Sequence, residues 1–266
     1  MYETTYHRAS DVNDAVAKMG SADDGKFLAG GQTLLPTMKQ RLAAPSDLID
    51  LTRIGDMHGI SVDGNMIRIG AATTHAEVAG SAELRAACPS ICDLASHIGD
   101  PAVRHRGTIG GSIANNDPAA DYPAAMMALN AQITTSQRKI DADDFFTGMF
   151  ETALNDDEIV VAVEFPAPAM GAYAKFPNPA SRYAMAGVFV AKLKNGMVRV
   201  GVTGASSGGV YRPSDMEDAL KADWSADALD SCSVDEGDML SDIHGTSAYR
   251  ANLVKVMAKR AVAAAG

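Results

Sequence analysis

An α+β fold is the expectation for this chain, on three observations. Strand-like and helix-like segments alternate without the strict βαβ rhythm of a parallel-sheet protein. Pro166, Pro168 and Gly171 cluster between two strand-like runs, and this punctuation places a domain boundary there. Beyond it, three strand-like runs, with Asn195-Gly196 as a hairpin turn, read as antiparallel. The 266 residues suffice for a substantial core and for two domains.

Taken in order, Ser10 is placed to cap a helix through Val12, Ala15, Val16 and Met19 that ends at Gly20. Lys26 to Ala29 reads as a short strand entering Gly30-Gly31. Leu34, Leu35, Met38 and Leu42 recur at helical spacing, with Pro36 in the first turn. That strand–loop–helix unit turns a helix N-terminus toward the glycines. Strands follow at Asp47 to Leu51 and Met66 to Gly70, and helices at His75 to Ala79 and Ile91 to Ile98. Gly99-Asp100-Pro101 breaks the last of these and leads to a second glycine pair, Gly110-Gly111. Pro118 to Leu129 is the next expected helix, with Asp117 at its start and Asp121 in its first turn. Strands are expected at Gln132 to Thr135 and Ile159 to Phe165, and past the boundary at Ala172 to Phe176, Ala186 to Leu193 and Met197 to Gly204. Helical segments near Pro213 to Ala222, Ala226 to Cys232 and Thr246 to Ala264 complete the chain.

Composition narrows the function. A net charge of −10 argues against a sequence-independent grip on nucleic acid. No apolar run approaches the length of a membrane span. Cys88, Cys92 and Cys232 cannot all pair, and no signal peptide opens the sequence, so a reducing cytoplasm is expected. His75, His97 and His105 lack metal-like spacing, and Cys88 and Cys92 have no second ligand pair, so no metal site is expected. No catalytic triad has supporting context either.

The chemically specific signal is the two glycine segments, Ala29-Gly30-Gly31-Gln32-Thr33 and Thr108-Ile109-Gly110-Gly111-Ser112. A Gly-Gly pair lets backbone N–H groups approach a bulky anion with no Cβ in the way. Either pair alone reads as a tight turn. Two pairs, each with a hydroxyl residue close behind, point to a diphosphate gripped from both sides, which a valine at Gly110 or Gly111 would exclude. Thr33, Thr108 and Ser112 are either added donors or local turn caps.

These segments, with Leu34-Leu35-Pro36, Arg41-Leu42-Ala43, Ala114 to Pro123 and Ala248-Tyr249-Arg250, resemble the flavoprotein (medium) subunit of molybdenum hydroxylases. That is the family of aerobic carbon monoxide dehydrogenase and of the flavin domain of xanthine dehydrogenase. The likeness spans essentially the full length, in order and spacing.

The resemblance implies the two-subdomain FAD-binding fold of the vanillyl-alcohol oxidase type, followed by a smaller C-terminal α+β domain. It places the FAD-binding domain at 1–166, with subdomains about 1–55 and 56–166, and the C-terminal domain at 170–266. It implies FAD as cofactor, with residues 29–33 and 108–112 at the diphosphate. Asp121 would meet ribityl or ribose hydroxyls, with Asp117 nearby. Tyr183 would stand against the isoalloxazine ring, with Lys175 near it. Read without the resemblance, Asp117 and Asp121 are helix caps, and Tyr183 is an ordinary half-buried aromatic. Arg104 and Arg106 read best as solvated.

The function implied is electron transfer within a multi-subunit enzyme. Electrons would arrive from an iron–sulfur small subunit, fed by a molybdenum-cofactor large subunit, and leave to an external acceptor. This chain shows no catalytic or cluster ligands of its own. A stand-alone flavin oxidoreductase of the same fold and a non-redox nucleotide-binding assembly subunit are the rival readings.

Overall fold

The computed structural model describes residues 1–266. It opens with a small parallel sheet in which β1 (Thr5–Arg8) and β2 (Gly25–Leu28) flank β3 (Asp47–Asp50), Thr5 and Gly25 both lying opposite Asp47. Parallel strands need crossover connections, and α1 (Val12–Ser21) carries the chain from β1 across β3 to β2. Asp11, not Ser10, caps this helix by accepting from the Asp14 N–H. The Ser10 hydroxyl bonds the Asp11 and Asp14 carboxylates instead, one position too early to reach the orphan backbone donors. Strand β2 runs into the first glycine pair, and α2 (Leu34–Lys39) leaves it.

The second sheet begins with β4 (Ile60–Asp63) and β5 (Met66–Gly70). A helical excursion follows: α3 (His75–Gly80), α4 (Ala82–Ala87), α5 (Pro89–Ser96), α6 (Pro101–Arg104), α7 (Ile109–Asn115) and α8 (Tyr122–Ala128). The chain then returns through β6 (Gln132–Thr135) and β7 (Lys139–Asp141). A short α9 (Ala142–Phe145) leads to a two-stranded ribbon, β8 (Phe146–Gly148) with β9 (Glu151–Thr152). Strand β10 (Val160–Pro166) inserts between β5 and β6, completing the antiparallel order β4-β5-β10-β6-β7.

Two sequence expectations are corrected here. The second glycine pair is not a loop, because Gly110 and Gly111 lie in the first turn of α7, capped by the Thr108 side chain on the Gly111 N–H. Two adjacent glycines cost about 1 kcal/mol each in a helix, so local propensity hides this element. The next helix begins at Tyr122, not Pro118. The preceding residues form a turn in which the Asp117 carboxylate accepts from the Ala119 N–H. The Thr203 hydroxyl pins that turn by donating to the Pro118 and Ala120 carbonyls.

The third sheet contains β11 (Pro168–Pro177), β12 (Ala184–Leu193) and β13 (Val198–Thr203), antiparallel in that order. Only Ala167 separates β10 from β11. Strand β12 is apolar almost throughout because both its faces are buried. Phe189, Ala191 and Leu193 point into the large core with Ile67, Ile69, Leu94 and Phe165. Ala186, Val188 and Val190 point the other way, to Val200, Val202, Leu253, Val254 and Met257. That second core is covered by α10 (Ser214–Ala222) and the long α11 (Ser247–Ala265). The period-2 alternation of a strand thus joins the two cores. The 226–232 segment expected as a helix forms a 3-10 turn over Asp227–Ser231.

Candidate functional site

A cleft of about 520 Å3 runs past the end of β2, the start of α7, the turn before α8 and the third sheet. Of the residues singled out from sequence, Ala29, Gly30, Gly31, Gln32, Thr33, Thr108, Gly110, Gly111, Ser112, Asp117, Asp121, Lys175 and Tyr183 line it. Ile109 does not, since its side chain is buried in the large core.

The two glycine segments meet, but their backbones play different parts. None of the N–H groups from Ala29 to Thr33 donates a hydrogen bond within the chain. Gly31 has φ +70°, a left-handed value that glycine accepts freely. A run of unspent N–H groups around such a residue is a concave anion cradle. In the second segment the Ile109 N–H donates to the Thr73 carbonyl, the Gly110 N–H to the Ala71 carbonyl and the Gly111 N–H to the Thr108 hydroxyl. The expectation that both pairs offer backbone donors is therefore corrected, because the second pair has spent them on its own helix and on the strand end. Its glycines serve close approach instead. A Cβ on Gly110 would stand 2.8 Å from the Ala71 carbonyl oxygen. A Cβ on Gly30 would stand 2.6 Å from Gly107 Cα. A valine at Gly110 would thus strike the Ala71 backbone, so it does not cleanly test ligand exclusion.

Thr33 occupies the cap position of α2 without making a side-chain cap bond. Thr108 is a working cap, and half-buried Ser112 faces the cleft. Arg106 is exposed, as expected, whereas Arg104 is not free. Its guanidinium donates to the Ile98 and Gly99 carbonyls.

Asp121 is 4% exposed and occupies the cap position of α8 without making a cap bond. Its carboxylate accepts from the Tyr173 hydroxyl and from Lys175 Nζ, at 2.9 Å to Oδ1 and 3.0 Å to Oδ2. Burial pushes its carboxyl above the usual range, against the pull of the Lys175 ammonium and the Tyr173 hydroxyl. Lys175 also donates to the His97 carbonyl at 3.3 Å. These contacts tie the buried Lys175 ammonium to Asp121 and to the end of α5. Asp117 keeps to its turn, its carboxyl raised by burial.

Tyr183 stands at the cleft mouth, 49% exposed, on a loop that Asn178 organises by accepting from the Ala180 and Ser181 N–H groups. Arg182, at φ +64°, ties this loop to the Gly99 carbonyl.

Sequence reasoning missed His75 and Tyr173. His75 lines the cleft beneath Gly107, 5% exposed, and its Nδ1 has no hydrogen-bond partner. Burial pushes its pKa down to about 4, with the Arg104 charge adding to the effect, so the ring is neutral at physiological pH. Tyr173 carried no motif; its signal was its place two residues before Lys175 on one strand face.

Unspent backbone donors in a cleft reached by the three larger sheets suit an extended anionic ligand. The chain belongs to the family described as the FAD binding domain in molybdopterin dehydrogenase, whose model matches residues 2–168, and FAD is its cofactor. It is 34% identical to the nicotine 6-hydroxylase medium subunit of Paenarthrobacter nicotinovorans, over 98% of this chain and 96% of that one. It is 37% identical to the carbon monoxide dehydrogenase medium chain of Afipia carboxidovorans, over 97% of this chain and 94% of the relative. Among solved structures, reconstituted CO dehydrogenase from Oligotropha carboxidovorans matches with a TM-score of 0.90 at 34% identity, covering 99% of this chain and 97% of that one.

Proposed function

We propose that this chain is the FAD-carrying electron-transfer subunit of a multi-subunit molybdenum hydroxylase. Its partners would be an iron–sulfur small subunit and a molybdenum-cofactor large subunit, with an external acceptor taking the electrons. The observation that carries this reading is full-length similarity to medium subunits of such enzymes, joined to a cleft with a free run of N–H groups at 29–33.

FAD, when bound, supplies a ring that accepts electron pairs and releases them singly or together. The chain's own residues hold and insulate it. The N–H groups of Ala29, Gly30, Gly31, Gln32 and Thr33 meet the diphosphate, with the Thr33 and Ser112 hydroxyls as further donors. Thr108, Gly110 and Gly111 form the opposing wall, anchored by the Ile109 side chain in the core behind it, the glycines admitting it to contact distance. Asp121 accepts from sugar hydroxyls, and Asp117 shapes the turn that presents it. Tyr183 lies against the ring at the mouth, and Lys175 fixes the charge of Asp121 below it.

The domain division we infer follows the sheets: 1–166 as the FAD-binding domain, with subdomains about 1–55 and 56–166, and 170–266 as the C-terminal domain. We assign the fold to the vanillyl-alcohol oxidase type and the protein to the cytoplasm, where its three unpaired cysteines stay reduced. No helix is long and apolar enough to cross a membrane. Affinity purification of the tagged chain tests the reading: two further chains carrying molybdenum and iron–sulfur absorbance are expected. A chain isolated alone that oxidises a substrate by itself would replace the reading with a stand-alone enzyme.

A further inference from the structure

The cluster beneath Asp121 spans two parts of the fold. Asp121 comes from the turn before α8, whereas Tyr173 and Lys175 come from β11 of the third sheet. A carboxylate offers about four acceptor sites. The Tyr173 hydroxyl takes one on Oδ1 and Lys175 takes one on Oδ2, its Nζ also standing 2.9 Å from Oδ1 as an ion pair. Acceptor capacity remains on a carboxylate that lines the cleft. Tyr173 is held as a phenol by burial and by the Asp121 charge, so it is the donor of the pair. The hydroxyl has room only because residue 187 is glycine. A Cβ there would stand 3.0 Å from Tyr173 Cζ and collide with the hydroxyl oxygen itself.

We propose that Tyr173 is a positioning residue of the cofactor site, orienting the Asp121 carboxylate so that a free acceptor site meets a sugar hydroxyl of FAD. This rests on the reading that Asp121 faces those hydroxyls. Lys175 hydrogen-bonds one oxygen, and the Tyr173 hydroxyl on the other fixes the plane of the carboxylate. It also opposes proton uptake by Asp121. The other titratable groups facing the carboxylate are Lys175 on β11, His97 after α5, Tyr122 at the start of α8, and Tyr183 with Asp117 at the cleft. Of these only Lys175 touches it.

The test is equilibrium titration of the full chain, freed of flavin, with FAD from mildly acidic to mildly alkaline pH. Wild-type protein sets the reference affinity and pH profile. Tyr173→Phe is expected to bind about tenfold more weakly, the scale of one hydrogen bond to a charged group, with the loss growing toward acidic pH as Asp121 takes up a proton. Gly187→Ala keeps the tyrosine but forces its ring, and with it the hydroxyl, to move, so it should reproduce both effects if Tyr173→Phe fails to fold. Folded variants that bind FAD with wild-type affinity and pH profile, even at reduced thermal stability, would make Tyr173 merely structural and overturn the proposal. Wild-type protein that binds no FAD would overturn the cofactor reading itself.

Discussion

Gly30 lies so close to the backbone of Arg106 that a Cβ on it would collide with the Arg106 carbonyl oxygen. The loop after β2 and the segment before α7 therefore meet backbone to backbone, and the site is assembled where they touch. Gly30→Ala must force them apart, because a backbone neighbour cannot rotate away as a side chain can. A destabilisation of about 1–3 kcal/mol is expected, the range for overpacking, together with at least tenfold weaker FAD binding. Chemical denaturation and flavin titration of the variant measure the two effects.

Thr108 is expected to act as a helix cap for α7. Thr108→Ala should cost about 1 kcal/mol, and Thr108→Ser should restore most of it, both read by urea unfolding.

His75 makes stability pH-dependent on the acid side. Its pKa is about 4 in the folded chain against an ordinary 6.5, so the unfolded chain binds the proton more tightly. The contribution is complete above the ordinary value, falls as pH drops through the interval, and is spent below the folded value. About 3 kcal/mol should be lost across that window. A His75→Gln variant should lack that part of the acid slope in denaturation series.

Asp121→Ala should leave the Lys175 ammonium buried without its counter-charge, at a cost of about 3–5 kcal/mol. The double variant Asp121→Asn, Lys175→Met should recover a substantial part of that loss, because no uncompensated charge remains. Thermal unfolding of both proteins decides this.

Elements with strong local signals were legible in the sequence. The alternation of Met66 to Gly70, the Asn195-Gly196 turn and the long helical C-terminal stretch all emerge where expected. Helix α7 was hidden because its glycines oppose it locally, while contact with Ala71 and the Thr108 cap enforce it. The same partners explain why the second pair's donors are spent. The environment of Asp121 was out of reach for another reason. Its partners lie more than fifty positions away on a strand of the third sheet, and no spacing rule links them. Reading Asp121 as a first-turn residue followed from Pro118, which starts a pinned turn here instead of a helix.

The central claim is that this cleft holds FAD through the 29–33 backbone. The most direct measurement is the visible absorbance spectrum of the purified chain after FAD is added and the excess removed, for wild type beside Gly30→Ala. The account predicts the bands of bound oxidised flavin in the wild type and their loss or marked reduction in the variant. Folded wild-type protein without those bands, or a variant retaining them in full, would contradict it.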